Sequence, residues 1–250
     1  MTYPDGTLQK FFDDDSWWDK KTDKTLTPGR LIWAFIPHVD IMPKSMIQAG
    51  RLEDEAGNHN KINYEIADLR ISNPYNPMKN LPTAILPYYR EECYTVHRSK
   101  KRPALVIGNG GPEIPKQLRS SMKPSWHVSS TITVAPYYGA EKKGQSKWHK
   151  PFVERIKKCE YPQYIWDILP IPSETKTSIL RLDHIQPIGK HYNSYELTDY
   201  VLQPEVMDLL INEWLPWLFT GVIEVCETEG CEKTYLLNEI REELLSYLSL

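Results

Sequence analysis

"HVSSTITVAPYYG", residues His127 to Gly139, is the stretch on which the fold turns. Val128, Ser130, Ile132, Val134 and Pro136 alternate with Ser129, Thr131, Thr133, Ala135 and Tyr137, and a period of two belongs to a β-strand. Outward from it, "GRLIWAFIP" (Gly29 to Pro37) is a short apolar run between turn residues and predicts a buried strand over 31–36. "RPALVIG" carries a second such run, Ala104 to Ile107, and β-like segments resume at "PFVERI", "QYIWDILPI" and "TSILRLDHIQPI". The body is expected to be an all-β meander.

Residues 38–97 hold "ISNPYNPMKNLP", with a weak helical patch near Ile62 to Leu69 and a strand at Ala84 to Tyr88, and read as an insertion. Two helices are expected to close the chain. In the first, Met207, Leu210, Ile211, Trp214 and Leu218 share a face behind Pro204; in the second, Leu237, Ile240, Leu244 and Leu248 form a stripe. The domain plan is an extension over 1–28, a body over 29–221 containing the insertion, and a helical extension over 222–250.

A net charge of -3 argues against a general nucleic-acid coat, while Trp 8 and Tyr 15 offer flat surfaces for stacking. Cys93, Cys159, Cys226 and Cys231 have neither zinc-ligand nor disulfide-framework spacing. With no apolar run of membrane length and no leader pattern, the expectation is a soluble, cytoplasmic chain with no membrane partner, metal or cofactor. One local feature stands against the acidic balance. "HRSKKRPALVIGNGG", from His97, sets Arg98, Lys100, Lys101 and Arg102 against an apolar run, which in isolation reads as a solvated loop before a core strand.

The order of the pieces is more specific than any one of them: G-x-L-I-W, then R-P-A-L-V-I, then T-x-x-V-A-P, then S-I-L-R-L-D-H-I-Q-P-I, then a helix. This resembles the MazF/PemK family of small toxins, including its Kid-like members, over about residues 29–38 and 98–221. The resemblance implies a mainly β (α+β) fold, a compact SH3-like barrel with C-terminal helices. It also implies a homodimer whose groove takes single-stranded RNA, metal-independent endoribonuclease activity, and an inhibitory partner protein, the antitoxin.

Carried over residue by residue, the family's R-P arginine falls on Arg102 and its R-x-D on Arg181 and Asp183. Two apart on a strand, those two would share a face while Leu180, Leu182 and His184 turn away. Asp183 would then take the proton of the ribose 2′-hydroxyl, and the guanidinium groups would hold the phosphate. Tyr138 stands where some members have a threonine; the loop that carries a histidine in Kid-like members is replaced here by the insertion, and His38 is the nearby candidate for that role. In "EKKGQSKWHK", Lys142, Lys143, Lys147 and Lys150 surround Trp148, a pattern that suits a flexible strand by phosphate attraction and base stacking. The alternative expectation keeps the fold without the chemistry: a catalytically inactive binding or regulatory protein.

Overall fold

The alternating stretch forms a nine-residue strand, Thr131–Gly139, inside the larger of two main sheets. The computed structural model describes residues 3–12, 17–51, 62–69, 92–118, 130–142, 145–172, 177–223 and 236–246. In chain order the strands are β1 (Trp18–Lys20), β2 (Arg30–Pro37), β3 (Lys44–Arg51), β4 (Ile62–Asp68), β5 (Tyr94–Val96), β6 (Ser99–Gly108) and β7 (Thr131–Gly139). They continue as β8 (Glu141–Lys142), β9 (Gln145–Ser146), β10 (Tyr164–Asp167), β11 (Ser178–Arg181), β12 (Gln186–Gly189) and β13 (Tyr195–Leu202). The helices are α1 (Lys150–Lys157), α2 (Pro204–Leu209), α3 (Leu215–Thr220) and α4 (Leu236–Ser246).

The class is α+β, mainly antiparallel sheet with a few helices. The large sheet runs β1-β13-β2-β6-β7-β11-β10, with β12 also on β7. Sequential strands are mostly not neighbours, so this is not the expected meander. Among the described residues no pairing joins β1 to β10, and the sheet stays open rather than closing into a barrel.

On one flank β7 pairs with β6, Ala104 opposite Pro136 and Val106 opposite Val134. On the other it pairs first with β11, Leu180 opposite Tyr137, and then with β12, Gln186 opposite Val134. One run of chain therefore passes along all of β7 and breaks once, at the 3-10 turn Leu182–His184. Gly110, just past β6, has φ +75, and a Cβ there would lie 1.9 Å from the Thr131 carbonyl oxygen, so only glycine fits.

The chain divides into two compact units, residues 1–35 with 101–250, and residues 36–100. The smaller has its own antiparallel sheet, β4-β3-β5. There Ile62–Asp68, expected as helix, is strand β4, paired with β3 from Lys44 opposite Asp68 to Arg51 opposite Ile62. Full-length ladder pairing outweighs a weak apolar spacing. The strand expected at Ala84–Tyr88 lies outside the described residues.

In the larger unit, "PFVERI" belongs to helix α1 rather than to a strand: Pro151 sits in the first turn and the buried residues are Val153 and Ile156, three apart. The C-terminal stripe is also modified. A π turn, Leu210–Trp214, joins α2 to α3 and rotates the buried face, so Ile211 is 37% exposed while Leu209, Leu210, Trp214 and Trp217 are buried. They meet Leu105, Tyr137, Ile165 and Leu180 from the sheet and Leu237, Ile240 and Leu244 of α4 in one core. Tyr3, Leu8, Phe12 and Trp17 join the same core. Each such side chain contributes about 1.5–3 kcal/mol on burial, so the first segment is integral to this unit.

Two buried charges hold that segment. Asp167 accepts hydrogen bonds from the hydroxyls of Tyr3 and Tyr137, both at 3.0 Å, and from Trp18 Nε1 at 3.3 Å. Burial pushes its pKa up to about 6, against the pull of these donors. Arg30, 1% exposed, donates to the carbonyls of Thr25, Lys21 and Thr198 and to the Asp23 carboxylate. No helix among the described residues is long and apolar enough to cross a membrane.

Candidate functional site

Arg102 and Tyr138 each lie two residues along their strands from the paired Ala104 and Pro136, so they stand opposite one another on one face. On the far flank of β7, Ile179 pairs with Tyr138; Arg181, two residues on, shares that face and pairs with Tyr164 of β10. A row of two arginines and two tyrosines thus crosses four strands. The Arg102 guanidinium carbon is 4.1 Å from the Tyr138 ring centre, and that of Arg181 is 5.5 Å from Tyr138 and 5.1 Å from Tyr164. Both cations lie within cation–π range of the Tyr138 ring.

The 3-10 turn after β11 completes the group. Arg181 donates to both carboxylate oxygens of Asp183, Nε to Oδ1 at 2.7 Å and a terminal nitrogen to Oδ2 at 2.6 Å. The same terminal nitrogen lies 2.6 Å from His184 Nε2, and His184 Nδ1 lies 2.9 Å from the Tyr138 hydroxyl. A guanidinium only donates, so Nε2 must accept and the imidazole proton sits on Nδ1, which donates to the Tyr138 oxygen. Burial works to lower the pKa of Arg181, but the hydrogen bonds and charge of Asp183 outweigh it, and the net shift is upward. The guanidinium stays charged.

Arg102, Tyr138, Arg181 and Asp183 are therefore brought together. The route differs from the strand geometry expected for Arg181 and Asp183. β11 ends at Arg181, and the turn, not a period of two, folds the carboxylate back onto the guanidinium. His184 does not turn away from the pair; it is 5% exposed and bridges Arg181 to Tyr138. Its one sequence signal is Asp183 beside it, a residue that favours turns. Tyr164 was also missed, because its place beside Arg181 follows only from the strand register.

The basic run is strand rather than loop except at Arg98, which precedes β6. Lys100, Lys101 and Arg102 belong to β6; Lys101 pairs with Glu196 at 2.6 Å and lies over the Trp33 ring. His38 lies in the smaller unit, its Nδ1 3.9 Å from Asp40. The Lys142 side chain and all of Lys143 fall outside the described residues. Lys147 is exposed, and exposed Lys150 opens α1. Trp148 is half-buried, stacked on Phe152 at 5.8 Å and edge-on to Tyr164 at 6.1 Å, so it continues the aromatic row rather than swinging free. Among the described residues no three His, Cys, Asp or Glu side chains converge as a metal-ligand set.

Fold and site define an α+β protein with two half-buried guanidinium groups on one sheet face, a chemistry matched to phosphate or carboxylate. Comparison with protein-family models, with curated proteins and with solved structures finds no match.

Proposed function

We propose that the chain is a metal-independent endoribonuclease of MazF/PemK type that cleaves single-stranded RNA through its 2′-hydroxyl. In this reading it is a cytoplasmic toxin that works as a homodimer, with an SH3-like core around β2, β6, β7 and β11, and is held in check by an antitoxin. The observation that carries it is the convergence of Arg102, Arg181 and Asp183 around Tyr138. Two cations bind the phosphate and stabilise the charge that grows on it. Asp183 removes the 2′-hydroxyl proton, the O2′–P bond forms, the P–O5′ bond breaks, and the product is a 2′,3′-cyclic phosphate.

Purified protein incubated with mixed-sequence single-stranded RNA in EDTA is expected to leave 2′,3′-cyclic ends, and to spare the same oligonucleotide with 2′-deoxyribose at the cut. Cutting of the deoxy substrate overturns the reading. A second reading, RNA binding without cleavage, has one observation in its favour: both Asp183 oxygens already accept from Arg181. Binding with no new ends in this assay selects it.

The loop lysines serve the approach of RNA. Replacing Lys142, Lys143 and Lys147 by alanine is expected to lower the slope of log affinity against log salt by about 2, at roughly 0.7 per phosphate for a single strand. An unchanged slope removes that loop from the site.

A further inference from the structure

We propose that Tyr138 is the proton donor to the departing 5′-oxygen, and that His184 is the residue that positions it. This rests on the endoribonuclease reading and supplies what that reading lacks, a source for the second proton. Among the groups that touch the Tyr138 ring or hydroxyl, or Asp183, the others are poorly suited. The arginines scarcely release a proton, Asp183 is the base, and the one imidazole proton of His184 is directed at Tyr138 from a 5% exposed side chain. Tyr138 is half-buried, so a substrate can reach it. Because its oxygen accepts from His184 Nδ1, its own proton points away from the imidazole.

The surroundings also suit the charge that proton transfer leaves behind. As the P–O5′ bond breaks, the O–H electron pair stays on the phenol oxygen and the proton passes to O5′. The resulting negative charge meets the Nδ1–H of His184 and the fields of Arg102, 4.1 Å from the ring centre, and Arg181, 5.5 Å from it. One proton leaves O2′ for Asp183 and one reaches O5′ from Tyr138. Exchange with water then returns both residues to their starting forms.

The test uses two RNAs that differ in one atom, oxygen or sulfur, at the 5′-bridging position of the cut. A thiolate leaves without protonation, so it needs no donor. Tyr138→Phe keeps the ring and its cation–π contacts while removing only the hydroxyl. It is expected to slow cleavage of the oxygen RNA by about two to four orders of magnitude and of the sulfur RNA by less than about threefold. His184→Leu is expected to show the same split in smaller measure, because it removes the Nδ1 donor and leaves the phenol. Activity of either variant on the sulfur RNA reports that it is folded. Equal losses on both RNAs, or no loss on either, overturn Tyr138 as the donor and leave the nuclease reading standing. A wild type that cuts neither RNA overturns both.

Discussion

Asp183→Asn is expected to lower single-turnover cleavage of RNA by about two to four orders of magnitude, the usual share of a general base. The asparagine amide keeps the shape of the carboxylate but cannot take a proton at neutral pH. In the native protein each Asp183 oxygen already accepts from Arg181, yet a carboxylate oxygen has a second lone pair. A 2′-hydroxyl can be accepted beside the guanidinium, and the side chain is exposed enough to meet it. Loss of the ion pair should shift unfolding by no more than about 1 kcal/mol, the range for solvent-accessible pairs. RNA affinity should hold, since a negative charge near the phosphate path is removed. The base acts on the attacking side of the reaction, so a sulfur leaving group should not rescue this variant. Cleavage within a few-fold of wild type would end the role assigned to Asp183.

Asp167→Ala is expected to cost roughly 3 kcal/mol of unfolding free energy at pH 7, a large part of a typical domain's 5–15 kcal/mol. Three donors, the hydroxyls of Tyr3 and Tyr137 and the Trp18 indole N–H, would lose Asp167 as an acceptor, with the Ile168 carbonyl at 3.3 Å still within reach of Tyr3. The loss depends on pH in a definite direction. Burial raises the pKa of Asp167 from 3.8 to about 6. Between these values the unfolded chain is ionised while the folded protein still holds the proton, so the contribution of Asp167 to stability is greatest below about pH 4. It falls as pH rises and is constant above about pH 6. A two-unit shift corresponds to about 3 kcal/mol. In denaturant titrations the gap between wild type and Asp167→Ala should therefore be wider at pH 4 than at pH 7 by an amount of that order. A gap that is wider at pH 7 would mean that the hydrogen bonds to the ionised form outweigh its desolvation.

What could be read from the chain alone follows from how each element is stabilised. β2, β6 and β7 are interior strands of the large sheet, and the apolar runs and alternation of their buried stretches announce them; the first terminal helix likewise keeps its apolar face, save where the π turn shifts it at Ile211. β13 escaped notice because a register shift between Leu197 and Val201 breaks its period and most of "YELTDYVL" is only half-buried. α1 was misread because Pro151, Val153 and Ile156 suit a strand as readily as a first helical turn when only six residues are seen. In the site, Arg102 stands out as a charge beside an apolar run, while Arg181 and Asp183 are singled out only by the R-x-D of the resemblance. His184 was not, because its importance comes from a single 3-10 turn that no spacing rule encodes. Tyr164 needed the β10–β11 register, a property of two strands together.

The way β1 and Tyr3 are held has a consequence for the making of the protein. Trp18 pairs with Leu202, 202 − 18 = 184 residues later, and Tyr3 bonds to Asp167. At a synthesis rate of about 5–20 residues per second, the partner of β1 leaves the ribosome roughly 10–40 s after β1 itself. Through that interval Phe11, Phe12, Trp17 and Trp18 travel as an unpaired aromatic segment, and the acid run Asp13 to Asp15 between them supplies charge that keeps such segments from associating. The strand that completes the edge of the sheet is thus made well before the strand it docks on, so a nascent chain interrupted before residue 202 presents its aromatics to chaperones and proteases.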